Sequence, residues 1–120
     1  MHTQVTILGA GPAGLLLSHL LSLHRIESIV LETKSRSYVE SRIRAGVLEH
    51  GTTQLLCDAG VGERLKNQGM RHEAINLGFS GEIHPINLAE LTGGKTITVY
   101  GQQELIKDLI AARLNAGKLL

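Results

Sequence analysis

Residues 4–17, QVTILGAGPAGLLL, determine the fold that we expect for this chain. Gln4 to Leu8 is short, uncharged and rich in β-branched residues, a pattern typical of a strand buried on both faces. Three glycines follow this strand directly: Gly9, Gly11 and Gly14. Pro12 suits the first turn of a helix, where its missing N–H loses no hydrogen bond. The stretch therefore predicts a strand, a glycine-rich turn and the beginning of a helix.

The residues that follow extend this pattern to a second strand. The predicted helix is rich in leucine, is packed on most sides and ends near His24 and Arg25. Ser28 to Leu31 is another short apolar segment and predicts a second buried strand. A strand, a helix and a strand in this order form a βαβ unit with a parallel, right-handed connection. We therefore expect an α/β fold with a Rossmann-like βαβ unit.

The three glycines satisfy the pattern G-x-G-x-x-G where a dinucleotide-binding turn requires it. Gly9 would permit the tight turn, Gly11 would let a pyrophosphate approach the backbone, and Gly14 would let the helix lie close to the strand. The N-terminus of the helix adds partial positive charge. A strand-to-helix turn without a ligand is the alternative, and the context favours a phosphate cradle.

Glu32 strengthens this interpretation because it follows the second strand, 18 residues beyond Gly14. An acidic residue at this point accepts hydrogen bonds from the ribose of a dinucleotide. Its charge would repel a 2′-phosphate, so the cradle is expected to hold FAD or NAD rather than NADP. Considered alone, Glu32 is more typical of a solvated glutamate at the end of a strand, and the glycine motif before it favours the ribose contact.

Three further polar residues are candidates for ligand binding. Arg42 and Arg44 are two residues apart, which in an extended segment places both guanidinium groups on one side of the chain. Arginine binds phosphate through a rigid fork of N–H donors, so this pair could clamp a pyrophosphate. Without their context the two arginines are more typical of a solvated loop. Gln102 alone is likewise more typical of the first turn of an ordinary helix.

The segment after Glu32 predicts short elements. Thr33 to Ser41 is predicted to form a loop or one short helix, and Arg42 to Gly46 to be extended. Two helices should follow, the second over Val61 to Gln68. The first of these helices should present one apolar face formed by Leu48, Thr52, Leu55, Leu56 and Ala59.

The remaining sequence predicts strands followed by one long helix. Apolar residues alternate on both sides of Ser80 and Gly81, which predicts a hairpin. Lys95 to Tyr100 alternates again, and a helix should begin after Gly101 and be capped by Gly117. Lys118 to Leu120 are predicted to begin a further strand.

Composition excludes several classes of function. The chain has 120 residues and a net charge of +1, which fits a single domain and gives no general attraction for nucleic acid or membranes. Cys57 is the only cysteine, so an internal disulfide is excluded and a cytoplasmic location is expected. The uncharged stretch from Val5 to Leu23 lacks a preceding cation and is interrupted by glycines, which argues against a signal peptide. No motif predicts a metal site or a catalytic residue.

Three stretches carry a resemblance to a known family: residues 5–17 (VTILGAGPAGLLL), 42–49 (RIRAGVLE) and 93–102 (GGKTITVYGQ). The first is shared by many FAD proteins, whereas the second and third are more particular. On these motifs the sequence resembles the flavoprotein aromatic hydroxylases over essentially its whole length. The resemblance implies an FAD-binding domain with FAD as its cofactor.

The resemblance also implies roles for single residues. Glu32 would bind the adenosine ribose, Arg44 would lie near the pyrophosphate, and Gln102 would hydrogen-bond FAD. The other implied FAD contacts are Gly9, Gly11, Gly14, Arg42, Ala45, Gly46 and Val47. The NADPH-recognition segment of the family aligns with Thr33 to Tyr38. Here Thr33 and Lys34 replace the Arg and Gln common in NADPH-preferring relatives, whereas Tyr38 is retained. Lys34 carries a positive charge that suits a 2′-phosphate. Lys34 and Tyr38 are therefore the candidates for binding NADPH or NADH.

The implied reaction is hydroxylation of a small phenolic substrate with O₂ and NADPH or NADH, by an enzyme expected to be a homodimer. The family requires further flavin-binding and substrate-binding segments that these 120 residues do not contain. We therefore expect residues 1–120 to be the N-terminal part of an FAD-binding domain, ending before the substrate domain and inactive alone. A nucleotide-binding module without redox chemistry and an NAD-dependent dehydrogenase remain alternatives.

Overall fold

The computed structural model describes residues 2–117, which form an α/β fold. Its helices are α1 (Pro12–Leu23), α2 (Arg36–Ser41), α3 (His50–Asp58), α4 (Glu63–Gln68), α5 (Leu88–Thr92) and α6 (Gln102–Asn115). Its strands are β1 (Val5–Leu8), β2 (Ser28–Leu31), β3 (Val47–Leu48), β4 (Met70–His72), β5 (Ala74–Phe79), β6 (Glu82–Asn87) and β7 (Ile97–Val99). The predicted strand at Lys118 to Leu120 lies outside the described residues.

The predicted βαβ unit is confirmed. β1 and β2 pair in parallel, with Val5 opposite Ser28 and Leu8 opposite Leu31, and α1 connects them. Gly14 allows α1 to lie close to β1, because a Cβ at this position would lie 2.2 Å from the carbonyl oxygen of Gly9. The third glycine of the motif is therefore required by packing.

Burial of this unit is more one-sided than the sequence predicts. Ile7 is buried in β1, but Leu8 is 81% exposed and Leu31 is 52% exposed. In the part of the chain that the structure describes, α1 packs on one face of the two strands, and the face with Leu8 and Leu31 is open. The prediction of close packing on most sides of α1 is also wrong, since Leu17 and Leu23 are exposed.

The core lies where α6 packs against α1. One face of α6 is buried through Leu105, Ile106, Leu109 and Ile110. The buried Arg113 ties α6 to the βαβ unit, since it donates hydrogen bonds to the Ser18 hydroxyl (2.5 Å) and to the Ser28 carbonyl oxygen (3.0 Å). Its burial lowers the pKa of the Arg113 guanidinium. The long helix therefore holds the βαβ unit in place.

The remaining strands form two antiparallel sheets, in the order β3-β7-β4 and β5-β6. The predicted hairpin is confirmed, as are the strand before Gly101 and the helix capped at Gly117, whose amide donates to the Leu114 carbonyl oxygen. The placement of Leu48 in a helix is wrong, because Leu48 pairs with Thr98 in β7. Strands β3 and β4 and helix α5 are too short to produce a clear periodic pattern.

Candidate functional site

The glycine-rich turn connects β1 to the N-terminus of α1. Gly9 has a φ of +103° and donates its N–H to the Leu31 carbonyl oxygen at 2.7 Å. Gly11 caps α1 with a φ of −78°, which any residue adopts, and no protein atom lies within 4 Å of a Cβ built there. Neither backbone strain nor packing explains a glycine at position 11. The space beside it is open to a ligand, as a phosphate cradle requires.

Glu32 lies at the end of β2, beside this turn. Its carboxylate accepts one hydrogen bond from the Ala10 N–H (2.8 Å) and another from the Lys34 N–H (2.9 Å). These backbone donors, Ala10 first, hold the pKa of Glu32 below its usual value. The carboxylate is therefore ionised at neutral pH and fixed in orientation, as an acceptor for sugar hydroxyl groups should be.

A cavity of about 360 Å³ opens between the turn, α2 and the start of α6. It brings together seven residues that the sequence singles out, namely Gly11, Glu32, Lys34, Tyr38, Arg42, Arg44 and Gln102. These residues come from three separate parts of the chain, at position 11, over residues 32–44 and at position 102, so their convergence is a property of the fold. Gly9 and Gly14 shape the turn and do not line this cavity.

The cavity has an excess of positive charge. Lys34, Arg42 and Arg44 line it together with one carboxylate, that of Glu32. The Lys34 ammonium and the Arg42 guanidinium each lie 5.7 Å from the centre of the Tyr38 ring, within cation–π distance. Such a surface favours an anionic ligand. Arg36, by contrast, forms an ion pair with Glu40 on its own helix.

A second cavity, of about 290 Å³, extends the first along β2. The two share Ala10, Glu32, Lys34 and Val39. The second adds an apolar lining from Val30, Leu31 and Ile110. Sequence reasoning missed these residues because they follow the same apolar pattern as any core position. The second cavity therefore adds apolar surface beside the charged main cavity, and Arg36 also lines it.

Ala45, Gly46 and Val47 lie beside the main cavity. Ala45 and Val47 line a separate apolar cavity of about 280 Å³, which also contacts Pro12 and Gln102. Gly46 accepts a hydrogen bond from the Tyr100 N–H at 2.7 Å, and a Cβ on it would lie 3.0 Å from the Tyr100 carbonyl oxygen. The structure therefore assigns Gly46 a packing role that its position in the motif did not reveal.

Two further features of the described chain bear on function. No helix within residues 2–117 is both long and apolar enough to cross a membrane. The same residues contain no cluster of three or more His, Cys, Asp or Glu side chains able to hold a metal ion.

Comparison with known proteins identifies relatives of this chain. A family model described as FAD binding domain matches residues 2–119. The p-hydroxybenzoate hydroxylase of Acinetobacter baylyi (strain ATCC 33305 / BD413 / ADP1) is 49% identical over 117 residues. The match covers 98% of this chain and 29% of that protein, so the chain spans less than a third of the relative's length.

Solved structures share the fold at low sequence identity. P. aeruginosa PqsL in complex with 2-aminobenzoylacetate has a TM-score of 0.88 at 18% identity, covering 98% of this chain and 32% of that one. The p-nitrophenol 4-monooxygenase PnpA from Pseudomonas putida DLL-E4 has a TM-score of 0.81 at 20% identity, covering 93% of this chain and 29% of that one. The family model and the hydroxylase relative confirm the resemblance seen in the motifs: this chain belongs to the FAD-binding domain family of the flavoprotein aromatic hydroxylases.

Proposed function

We propose that this chain holds the adenosine and pyrophosphate part of FAD in a flavin-dependent aromatic monooxygenase. The convergence of Gly11, Glu32 and Arg44 on one cavity carries this proposal. It combines an open approach to a helix N-terminus, a fixed carboxylate and a guanidinium group, which are the groups that a ribose and a pyrophosphate need.

Each part of the dinucleotide has a matching surface. Glu32 would accept hydrogen bonds from the adenosine ribose, and the N-terminus of α1 with Arg44 would bind the pyrophosphate. The apolar surface that Val30 and Ile110 give the second cavity suits the flat adenine ring. Arg42 and Gln102 line the same cavity and would add polar contacts to FAD. When bound, FAD supplies the redox chemistry, and these residues supply binding and orientation.

Residues around α2 are proposed to meet the nicotinamide co-substrate. Lys34 and Tyr38 line the main cavity and are exposed, and Lys34 would be able to pair with the 2′-phosphate of NADPH. Thr33 is uncharged and cannot form an ion pair with such a phosphate. Its hydroxyl lies 3.3 Å from the Glu32 carboxylate. We therefore expect weaker discrimination between NADPH and NADH than in relatives with an arginine at this position.

The substrate we propose is 4-hydroxybenzoate, hydroxylated to 3,4-dihydroxybenzoate with O₂ and NADPH or NADH. The support is the 49% identity with p-hydroxybenzoate hydroxylase over almost the whole chain. No residue of this chain is proposed to act as a catalytic acid, base or nucleophile. Its contribution to the reaction is to bind and orient the cofactor.

The test uses the purified full-length protein. Its visible spectrum should show bound flavin, and oxidation of NADPH or NADH should increase when 4-hydroxybenzoate is added, with 3,4-dihydroxybenzoate as product. Flavin content without this stimulation would reject the substrate and keep the cofactor. NAD binding without flavin would favour a dehydrogenase, and binding of a nucleotide without oxidation would favour a module that has no redox chemistry.

A further inference from the structure

Tyr100 occupies the junction between β7 and α6 and is only 4% exposed. It is bound in two directions. Its backbone N–H donates to the Gly46 carbonyl oxygen at 2.7 Å, and its phenol donates to Asp108 Oδ2 at 2.6 Å. The first bond reaches the segment that carries Arg44, and the second reaches the next turns of α6. Tyr100 therefore connects two parts of the chain that line the proposed FAD site, one through its backbone and the other through its phenol.

Asp108 is itself held by a charged network. Arg64 on α4 donates to Asp108 Oδ1 at 2.5 Å and to Glu104 Oε2 at 2.6 Å. Both carboxylates raise the pKa of the Arg64 guanidinium, so the cation persists at any ordinary pH. Burial, followed by the hydrogen bond to Asp108, raises the pKa of the Tyr100 phenol and keeps it protonated as a donor. The acceptor of Tyr100 is thus fixed by an ion pair.

This network does not line either cavity of the proposed FAD site. Gly101 and Gln102 follow Tyr100 directly, and Gln102 is the first residue of α6 and lines the main cavity. The N-terminal cap of α6 has no side-chain hydrogen bond of its own, since Gly101 occupies it. The position of Gln102 depends on the residues that anchor the beginning of α6.

We propose that Tyr100 is a positioning residue whose hydrogen bond to Asp108 fixes the start of α6, so that the Gln102 side chain meets FAD in its binding orientation. This inference rests on the proposed FAD site. Asp108 and Arg64 belong to the same hydrogen-bonded network, and Glu104 is its second carboxylate.

A double-mutant cycle on FAD affinity tests this inference in the full-length protein. Tyr100→Phe keeps the ring and removes the hydroxyl, and it should weaken FAD binding about fivefold, as expected for one lost hydrogen bond. The same substitution in a Gln102→Ala background should change FAD affinity by less than about 1.5-fold, because the residue that Tyr100 positions is absent. A purely structural role would give equal losses in both backgrounds.

Asp108→Asn provides a second way to weaken the phenol bond without removing bulk, and it should show the same dependence on Gln102. Lys107→Ala is the control, because Lys107 is half exposed and pairs with Glu104 without reaching Tyr100. Circular dichroism and the thermal midpoint follow folding, and Asp108→Asn decides the cycle if Tyr100→Phe fails to fold.

Each outcome is decisive. Loss of affinity that disappears in the Gln102→Ala background supports the inference. Equal losses in both backgrounds, or unchanged affinity in Tyr100→Phe and Asp108→Asn, overturn it while the FAD site stands. A wild-type protein that does not bind FAD overturns the proposed function, and this inference with it.

Discussion

The βαβ unit and the β5-β6 hairpin are both strand pairs that the sequence predicts, but their side chains have opposite surroundings. In the βαβ unit, Ile7, Leu15 and Val30 are at most 7% exposed. In the hairpin, Phe79 is 59% exposed and Ile83 is 71% exposed. The Phe79 ring stacks on His84 of the neighbouring strand, with 4.2 Å between the ring centres. An alternating pattern thus specifies a strand without specifying what covers it.

The shape of the molecule reflects this contrast. Its dimensions are 59 × 28 × 23 Å and its radius of gyration is 16.9 Å, compared with about 14 Å for a compact domain of this length. The βαβ unit packs with α6, and both cavities of the proposed FAD site lie there, whereas α5 contacts the hairpin. A nucleotide site of the proposed kind needs strand ends and helix ends that converge, and the βαβ unit with α6 meets this condition.

The largest expected effect is on the free energy of unfolding, and it distinguishes Gly14 in the βαβ unit from Gly78 in the hairpin. Gly14→Ala should destabilise the protein by about 3 kcal/mol or more, because the added Cβ would lie 2.2 Å from a backbone oxygen. Gly78→Ala in the hairpin is the matched control, since its Cβ would lie 4.0 Å from the Glu82 carbonyl oxygen, and we expect a change below about 1 kcal/mol. Chemical denaturation measures both. Equal effects would show that the two regions are packed alike.

The second prediction separates binding from folding at the cradle. Gly11→Val should abolish FAD binding by filling the approach to the backbone, while the fold persists because the site has room and an ordinary φ. Gly51→Val in α3 is the control, since a Cβ there also meets no atom within 4 Å. Flavin content and circular dichroism are the measurements. Normal flavin content in Gly11→Val would reject the phosphate cradle.

The third prediction concerns two exposed arginines. Arg44→Ala should weaken FAD binding by about 1–3 kcal/mol, the range for a lost hydrogen bond to a charged group. Arg71→Ala removes a cation from β4, where Arg71 pairs with Glu73 outside the FAD site, and should leave affinity unchanged. Titration with FAD provides both values. Equal affinities for wild type and Arg44→Ala would return Arg44 to the solvated surface.

The sequence predicts the βαβ unit well because its signals are local. The glycine motif, Pro12 and the apolar runs on either side act within a few residues, and the structure follows them. Leu48 shows the limit of such signals. It fits the apolar face of a helix, yet its partner is Thr98, far along the chain. Pairing with a distant strand overrides the local pattern.

The site was predictable only where a residue type carries its own chemistry. Glu32, Arg42 and Arg44 could be identified from charge and spacing, and the fold places all three at one cavity. Val39 and Ile110 could not, because an apolar residue that lines a ligand site has the same pattern as one in the core. The sequence identifies Tyr100 only as a residue of a strand. Its hydrogen bond to Asp108 could not be predicted, since it forms only when α6 has folded beside it.

The smallest expected effect is a pH dependence of the thermal midpoint that distinguishes Glu32, beside the glycine-rich turn, from Glu82 in the hairpin. The backbone N–H groups of Ala10 and Lys34 hold the pKa of Glu32 below its ordinary value of 4.5. A carboxylate of this kind stabilises the fold above that ordinary pKa and loses its contribution as pH falls through the lower, folded-state pKa. Glu32→Gln should therefore lower the thermal midpoint at about pH 7, and its difference from wild type should shrink towards about pH 3. The control is Glu82→Gln, which alters an exposed carboxylate 3.5 Å from the His84 imidazole. A difference that stays constant down to acidic pH, or one of equal size in Glu82→Gln, would mean that the Ala10 and Lys34 hydrogen bonds do not set Glu32 apart.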